Sequence, residues 1–239
     1  MSGAQKVAAF FDLDGTLLPP PSLEWRFIGY LLSRDAIMSA HVRSWLSQFC
    51  KFVLRDPRAA TVANKMYLAG LPESLATEWM ASEPFGSFPL CADGIDCVAQ
   101  HFARRHEVIL LTGTLAPLAR AVAAKLPRPV EICATELETA GGRWTGWVAG
   151  EHLSGAAKVR ALGLIAERRG LDLKQCYAYG NEMADLPMLM SMGRPVAVNP
   201  SVWLLRCARR LGWQVCDWTR AQESRAAGEP PMLASKAGR

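Results

Sequence analysis

The sequence has no long apolar run, no paired-cysteine motif and no histidines at metal-binding spacing. No stretch of its 239 residues approaches the roughly 20 consecutive apolar positions that a membrane-spanning helix needs, so no membrane partner is expected. The apolar run at Val7 is too short for a secretory core and ends in acids. The seven cysteines are odd in number and scattered, without a C-x-x-C pair. That usage excludes a disulfide frame or zinc ribbon and reads as thiols in a reducing compartment. Of the four histidines, His101 and His106 stand five apart, off a common helical face. No block of like charge exists either. The net charge of +5 is spread along the chain, and the last twenty residues supply a net +2 of it. Such mild basicity helps attract an anionic substrate, but no motif for nucleic-acid binding accompanies it. Internal repeats are also missing. These absences lead to the expectation of a cytoplasmic globular protein. At 50% hydrophobic and 21% charged, it has length for one large domain or two small ones.

What is present divides into two patterns. Val7 to Phe11 is a short continuous apolar run, consistent with a fully buried parallel strand. Pro19 to Pro21 end it. From Ser22 to about Phe88 apolar residues recur at three and four, in "SLEWRFIGYLLSR", "AIMSAHVRSWLSQFCKFVL", "PRAATVANKMYLAG" and "PESLATEWMAS". The periodicity predicts an inserted helical bundle. Beyond it, strands and helices alternate. Asp93 to Arg105 reads as a helix, "EVILLTG" as a strand ending in Thr112, Ala116 to Lys125 as a helix and "VEICA" as a strand. "TELETAGGRWTGWVAG" is a hairpin around Gly141-Gly142. Ser154 can cap a helix running to Arg169. "CYAYG" is a strand, Met183 to Met190 a helix, "PVAV" a strand, Val202 to Leu211 a helix and "WQVCDW" a last strand. The alternation predicts an α/β fold, a parallel Rossmann-like sheet flanked by helices, with a helical cap inserted after the first strand. The expected division is 1–21 and 89–219 for the core, 22–88 for the cap, and a disordered tail over 220–239.

Open α/β sheets bind ligands beyond the carboxyl ends of their strands. The first strand ends in Asp12 and Asp14, the second in Thr112-Gly113-Thr114, and "CYAYG" in Gly180-Asn181-Glu182 with Asp185 one turn on. Lys158 stands near a helix start, at the fourth helical position if Ser154 is the cap. A cation there opposes the helix dipole by roughly 0.3–1 kcal/mol, a placement that fits a charge-neutralising role. Acid pair, hydroxyl, ammonium, amide and acid are the parts of a phosphoryl-transfer site. Thr114 could instead cap the following helix.

With these residues in order, the chain resembles the haloacid-dehalogenase superfamily, in its phosphoserine-phosphatase-like branch. The resemblance runs to about Trp218. It rests on "DLDGT", which is highly specific, and on "VILLTG", "SGAAKVRAL" and "GNEMADLPML", each weaker alone. It implies a magnesium-dependent phosphomonoesterase acting on a small phosphorylated metabolite. Asp12 would be the nucleophile that forms an aspartyl-phosphate, and Asp14 the acid for the leaving oxygen and then the base for water. Thr112 and the Gly113 amide would bind a phosphoryl oxygen, and Lys158 would neutralise charge. Mg2+ would lie on Asp12, the Asp14 carbonyl, Asn181 and Asp185, unless Asp185 acts through water or fixes Lys158.

Two departures stand out. Asn181 occupies a position that is usually Asp. Asn supplies an oxygen without charge, and a loss of ~1.4–2.8 kcal/mol would weaken metal binding about 10–100-fold. Glu182 could lend charge nearby. In the cap, the Glu that meets the substrate ammonium in phosphoserine phosphatases is replaced by Pro21, with Glu24 a displaced candidate. Lys65 stands where an Arg binds the substrate carboxylate, and it is either a binding residue or a solvated lysine. A lysine is a point charge without the bidentate fork of Arg. Both changes count against phosphoserine as substrate. A catalytically weakened phosphate-binding module and a phosphotransferase remain as alternatives, and the oligomeric state stays open.

Overall fold

The computed structural model describes residues 6–53, 63–82 and 88–219. Six parallel strands form the central sheet: β1 (Ala8–Phe11), β2 (Glu107–Leu115), β3 (Glu131–Thr135), β6 (Tyr177–Gly180), β7 (Arg194–Val198) and β8 (Gln214–Cys216), in the order β3-β2-β1-β6-β7-β8. The chain leaves β1 toward β2 and β3, then returns to its other side for β6, β7 and β8. That reversal opens a crevice at the carboxyl end of β1, between β2 and β6. The expected α/β architecture is therefore the observed one.

Side-chain alternation assigns each strand to two cores. Ala9 and Phe11 of β1, with Val108 and Leu110 of β2, join one cluster, while Ala8, Phe10, Ile109 and Leu111 join the other. The second is covered by α6 (Ala156–Arg169), α7 (Leu186–Met190) and α8 (Val202–Arg210). The first runs continuously into the inserted segment. There α1 (Leu23–Ser33) buries Leu23, Phe27, Tyr30 and Leu31, the i, i+4, i+7, i+8 stripe of an amphipathic helix. Next come α2 (Ser39–Val53), which buries no residue, and α3 (Ser74–Ala81), which buries Trp79. Two more helices, α4 (Ala92–Ala103) and α5 (Ala116–Ala123), pack beside β2 and β3.

Several boundaries differ from the sequence reading. The predicted helix over 57–70 falls partly outside the described residues. Its described part is a turn and a short 3-10 helix, Met66–Leu68. The expected tail also lies outside them. β2 continues past Thr112 to Leu115, with an irregular register against β3 between Leu111 and Leu115. The predicted helix from Met183 is a 3-10 turn, Met183–Asp185, followed by α7. α6 starts later than Ser154 predicts. Its cap is Gly155, at φ 53 and ψ −120, which puts Lys158 at the third helical position. A side chain is strained at that φ, so glycine ends the loop where serine was expected to.

The hairpin of β4 (Leu137–Ala140) and β5 (Arg143–Val148) turns at Gly141-Gly142, both at positive φ. It reaches into the inserted segment. The Gly70 N–H donates to the Trp144 carbonyl, the Trp144 N–H to the Leu71 carbonyl and the Glu73 N–H to the Gly142 carbonyl, while the Trp144 ring stands edge-on to Phe27 at 6.0 Å.

Candidate active site

The site is assembled where three strands end. The Asp12 N–H donates to the Tyr179 carbonyl across the β1–β6 pair (2.9 Å), which fixes the first carboxylate at the mouth of the crevice. Lys158 reaches it from the first turn of α6. Its ammonium lies 2.6 Å from Asp12 Oδ1 and 2.6 Å from Asp185 Oδ1, and all three residues are buried. The other Asp185 oxygen accepts the N–H groups of Asn181 and Glu182, each at 3.1 Å. Asp185 therefore holds both the lysine and the strand-end turn. Gly180 is required beneath it, because a Cβ there would meet the Asp185 Cβ at 2.7 Å.

Burial dominates the electrostatics. It pushes the Asp12 carboxyl up to about 7, with Lys158 opposing that rise and Asp185 adding to it. Burial alone would pull the Lys158 ammonium down, but Asp12 and Asp185 more than offset it and hold it above its usual range.

Asp14 is held differently. One carboxylate oxygen accepts the N–H of Leu23, the first residue of α1 (2.7 Å), and the other accepts the hydroxyl of Thr114 (2.6 Å). Burial raises its pKa, against the lowering effect of those two donors. Thr114 Oγ1 also lies 3.0 Å from Thr112 Oγ1, and the Thr114 N–H donates to Thr112 Oγ1. Thr114 is thus no helix cap. α5 begins at Ala116 with Leu115 as its cap residue, and Thr114 orients Asp14. The i, i+2 spacing of Thr112 and Thr114 on one strand was the signal for this, since it puts both on one face.

Asn181 faces the same floor. Gly15, at φ 80, would carry a Cβ only 2.0 Å from Asn181 Nδ2, so the amide lies directly over the turn beside Asp14. The Asn181 carbonyl accepts the Ser201 N–H (2.9 Å). Asp12, Asp14, Asn181 and Asp185 line one cavity with Thr112, Gly113 and Lys158, of about 540 Å3.

Further up the cavity, Glu24 Oε1 accepts hydrogen bonds from the Lys65 ammonium and the Tyr67 hydroxyl. Lys65 is 3% exposed, so the solvated alternative does not hold. The structure brings Lys65 to the site, but as the partner of Glu24, 41 residues away in sequence. His152 was not singled out from the sequence. It lines the cavity beside Gly113, where a Cβ would meet its ring at 2.9 Å, and its Nδ1 is buried without a hydrogen-bond partner among the described residues. Burial pulls its pKa down to about 4, with Lys65 adding to the effect, so the ring is neutral. No spacing pointed to it, because its loop follows the hairpin and not a strand of the main sheet.

The sequence and the fold match known proteins. The family profile described as haloacid dehalogenase-like hydrolase matches residues 9–190. A phosphoserine phosphatase of Mycobacterium tuberculosis is 31% identical over 235 residues, spanning 95% of this chain and 76% of that protein. Among solved structures, a protein with unknown function from Bordetella pertussis Tohama I superposes with a TM-score of 0.72 at 27% identity, over 90% of this chain and 100% of that one. A phosphoserine phosphatase solved as a phospho-aspartyl intermediate analogue shares the fold, with a TM-score of 0.61 at 17% identity over 95% and 100% of the two chains.

Proposed function

The chain belongs to the haloacid dehalogenase-like hydrolase family and is a phosphatase, and from that premise we propose a magnesium-dependent phosphomonoesterase that works through Asp12. The observation that carries this reading is the Lys158 ammonium shared between Asp12 and Asp185, next to an Asp14 held by Thr114 and Leu23. The lysine keeps Asp12 oriented and offsets the repulsion between its carboxylate and an incoming phosphate. The phosphoryl group sits against Thr112 and the Gly113 amide. An Asp12 oxygen attacks phosphorus as the ester oxygen departs, and Asp14 gives that oxygen its proton. Water then attacks the aspartyl-phosphate, Asp14 takes the water's proton, and inorganic phosphate leaves with Asp12 restored.

The donor set suits magnesium. Asp12, the Asp14 carbonyl and Asn181 offer only oxygen, the ligand a hard cation prefers, and a site with one or two carboxylates plus waters and substrate phosphate is usual for Mg2+. Asp185 has both oxygens engaged by Lys158 and backbone N–H groups, which favours its lysine-fixing role. When bound, the ion would neutralise phosphoryl charge beside Asp12.

The test is phosphate release from a panel of phosphomonoesters with Mg2+. Asp12→Asn should lower it by at least about 10³-fold, as expected for a lost nucleophile. Undiminished release by that variant would reject Asp12 as nucleophile.

A further inference from the structure

The cavity has two unlike halves. Its floor carries the phosphate chemistry, while its upper wall is apolar and built from the inserted helices. Trp25, Ile28 and Leu32 stand at i, i+3 and i+7 on α1, a second stripe distinct from the one that α1 buries in the core. Ile37, Val42 and Trp45 face them from the α1–α2 turn and α2. Trp25 is 68% exposed, Leu32 55% and Val42 53%, so these three apolar side chains of the wall stand open to solvent.

The charged groups between the halves are spent on each other. Glu24 accepts from both Lys65 and Tyr67, and Lys65 gives its charge to Glu24. Carboxylate and ammonium already neutralise each other, so an apolar substrate body can lie beside the pair without disturbing it. A cavity of about 540 Å3 is also of the size that holds drug-sized ligands, much larger than phosphoserine.

We propose that the substrate is a phosphate monoester of an apolar alcohol, alkyl or aryl, whose body lies between α1 and α2 while its phosphate meets Asp12. The proposal rests on the phosphatase reading of the same floor. The bond broken is the ester P–O bond; Asp14 protonates the leaving alkoxide oxygen, and the apolar alcohol departs through the mouth between the two helices.

The experiment measures kcat/KM with Mg2+ for methyl, butyl, hexyl and octyl phosphate, with phosphoserine alongside. Burial of the chain should raise kcat/KM about twofold to fourfold per methylene, and octyl phosphate should exceed phosphoserine by about 100-fold or more. Val42 lies on a helix that buries no residue, so Val42→Ser should fold and should at least halve the slope of log kcat/KM against chain length. Phosphate release that is flat or falls with chain length overturns the apolar substrate and leaves the phosphatase reading intact. The same holds if phosphoserine is the best substrate. No release from any member overturns both.

Discussion

At the scale of residues, small changes at the cavity floor have readable consequences. Asn181→Asp restores a charge next to Asp14 at unchanged size, so the Gly15 contact is kept. The Mg2+ concentration for half-maximal activity should fall about 10–100-fold, as read by metal titration. An unchanged midpoint would mean that residue 181 does not touch the ion. Away from the site, His101 is buried between His106 Nδ1 (2.8 Å) and the Tyr179 hydroxyl (2.8 Å). Burial, with His106 and Arg104 adding to it, pulls its pKa from 6.5 to about 4. Between those values the unfolded chain binds more protons than the folded one, so this group's contribution is complete above pH 6.5 and is lost as pH falls toward 4. The urea midpoint should therefore drop between pH 7 and pH 4.5 by more in the native protein than in His101→Phe. Equal drops would assign the acid sensitivity elsewhere.

At the scale of elements, the hairpin of β4 and β5 ties the sheet to the insertion through Trp144, which is 3% exposed and meets Phe27. Trp144→Ala should cost about 3–5 kcal/mol of unfolding free energy by chemical denaturation. A cost below about 1 kcal/mol would show that the backbone bonds alone hold the two together. How much of this was legible follows the range of the signal. Asp12, Asp14, Thr112, Lys158 and Asp185 stood out because local periodicity marks where apolar runs stop and helical patterns start, although β2 runs on past Thr112 to Leu115. The Glu24–Lys65 pair did not, since its partners meet only when the insertion folds back on itself. Gly155 was missed for a related reason: its cap depends on backbone geometry, while Ser154 carries the more familiar side chain. The 3-10 turn Met183–Asp185 was read as α-helix because its apolar spacing suits either, and Asp185 bonding to the N–H groups of Asn181 and Glu182 decided between them.

At the scale of the whole molecule, one apolar cluster spans sheet and insertion, with Phe11, Leu110, Phe27 and Trp79 all in it. Thiol accessibility reports on that continuity. Cys50 is exposed on α2, whereas Cys91 and Cys176 are fully buried. Burial, with Asp93 adding to it, pushes the Cys91 thiol up to about 11, which leaves little thiolate at neutral pH. A maleimide added to the folded protein should modify Cys50 first, as mapped by mass spectrometry. A first adduct on Cys91 would show that the shared cluster opens readily.

The hydrogen bond from the Leu23 N–H to Asp14 has a consequence beyond packing. The carboxylate that must move a proton also ends the first helix of the insertion, where the helix dipole favours its anion. A substitution that disturbs the first turn of α1 therefore reaches the chemistry as well as the packing, because Asp14 would lose a donor that makes its proton easier to give up.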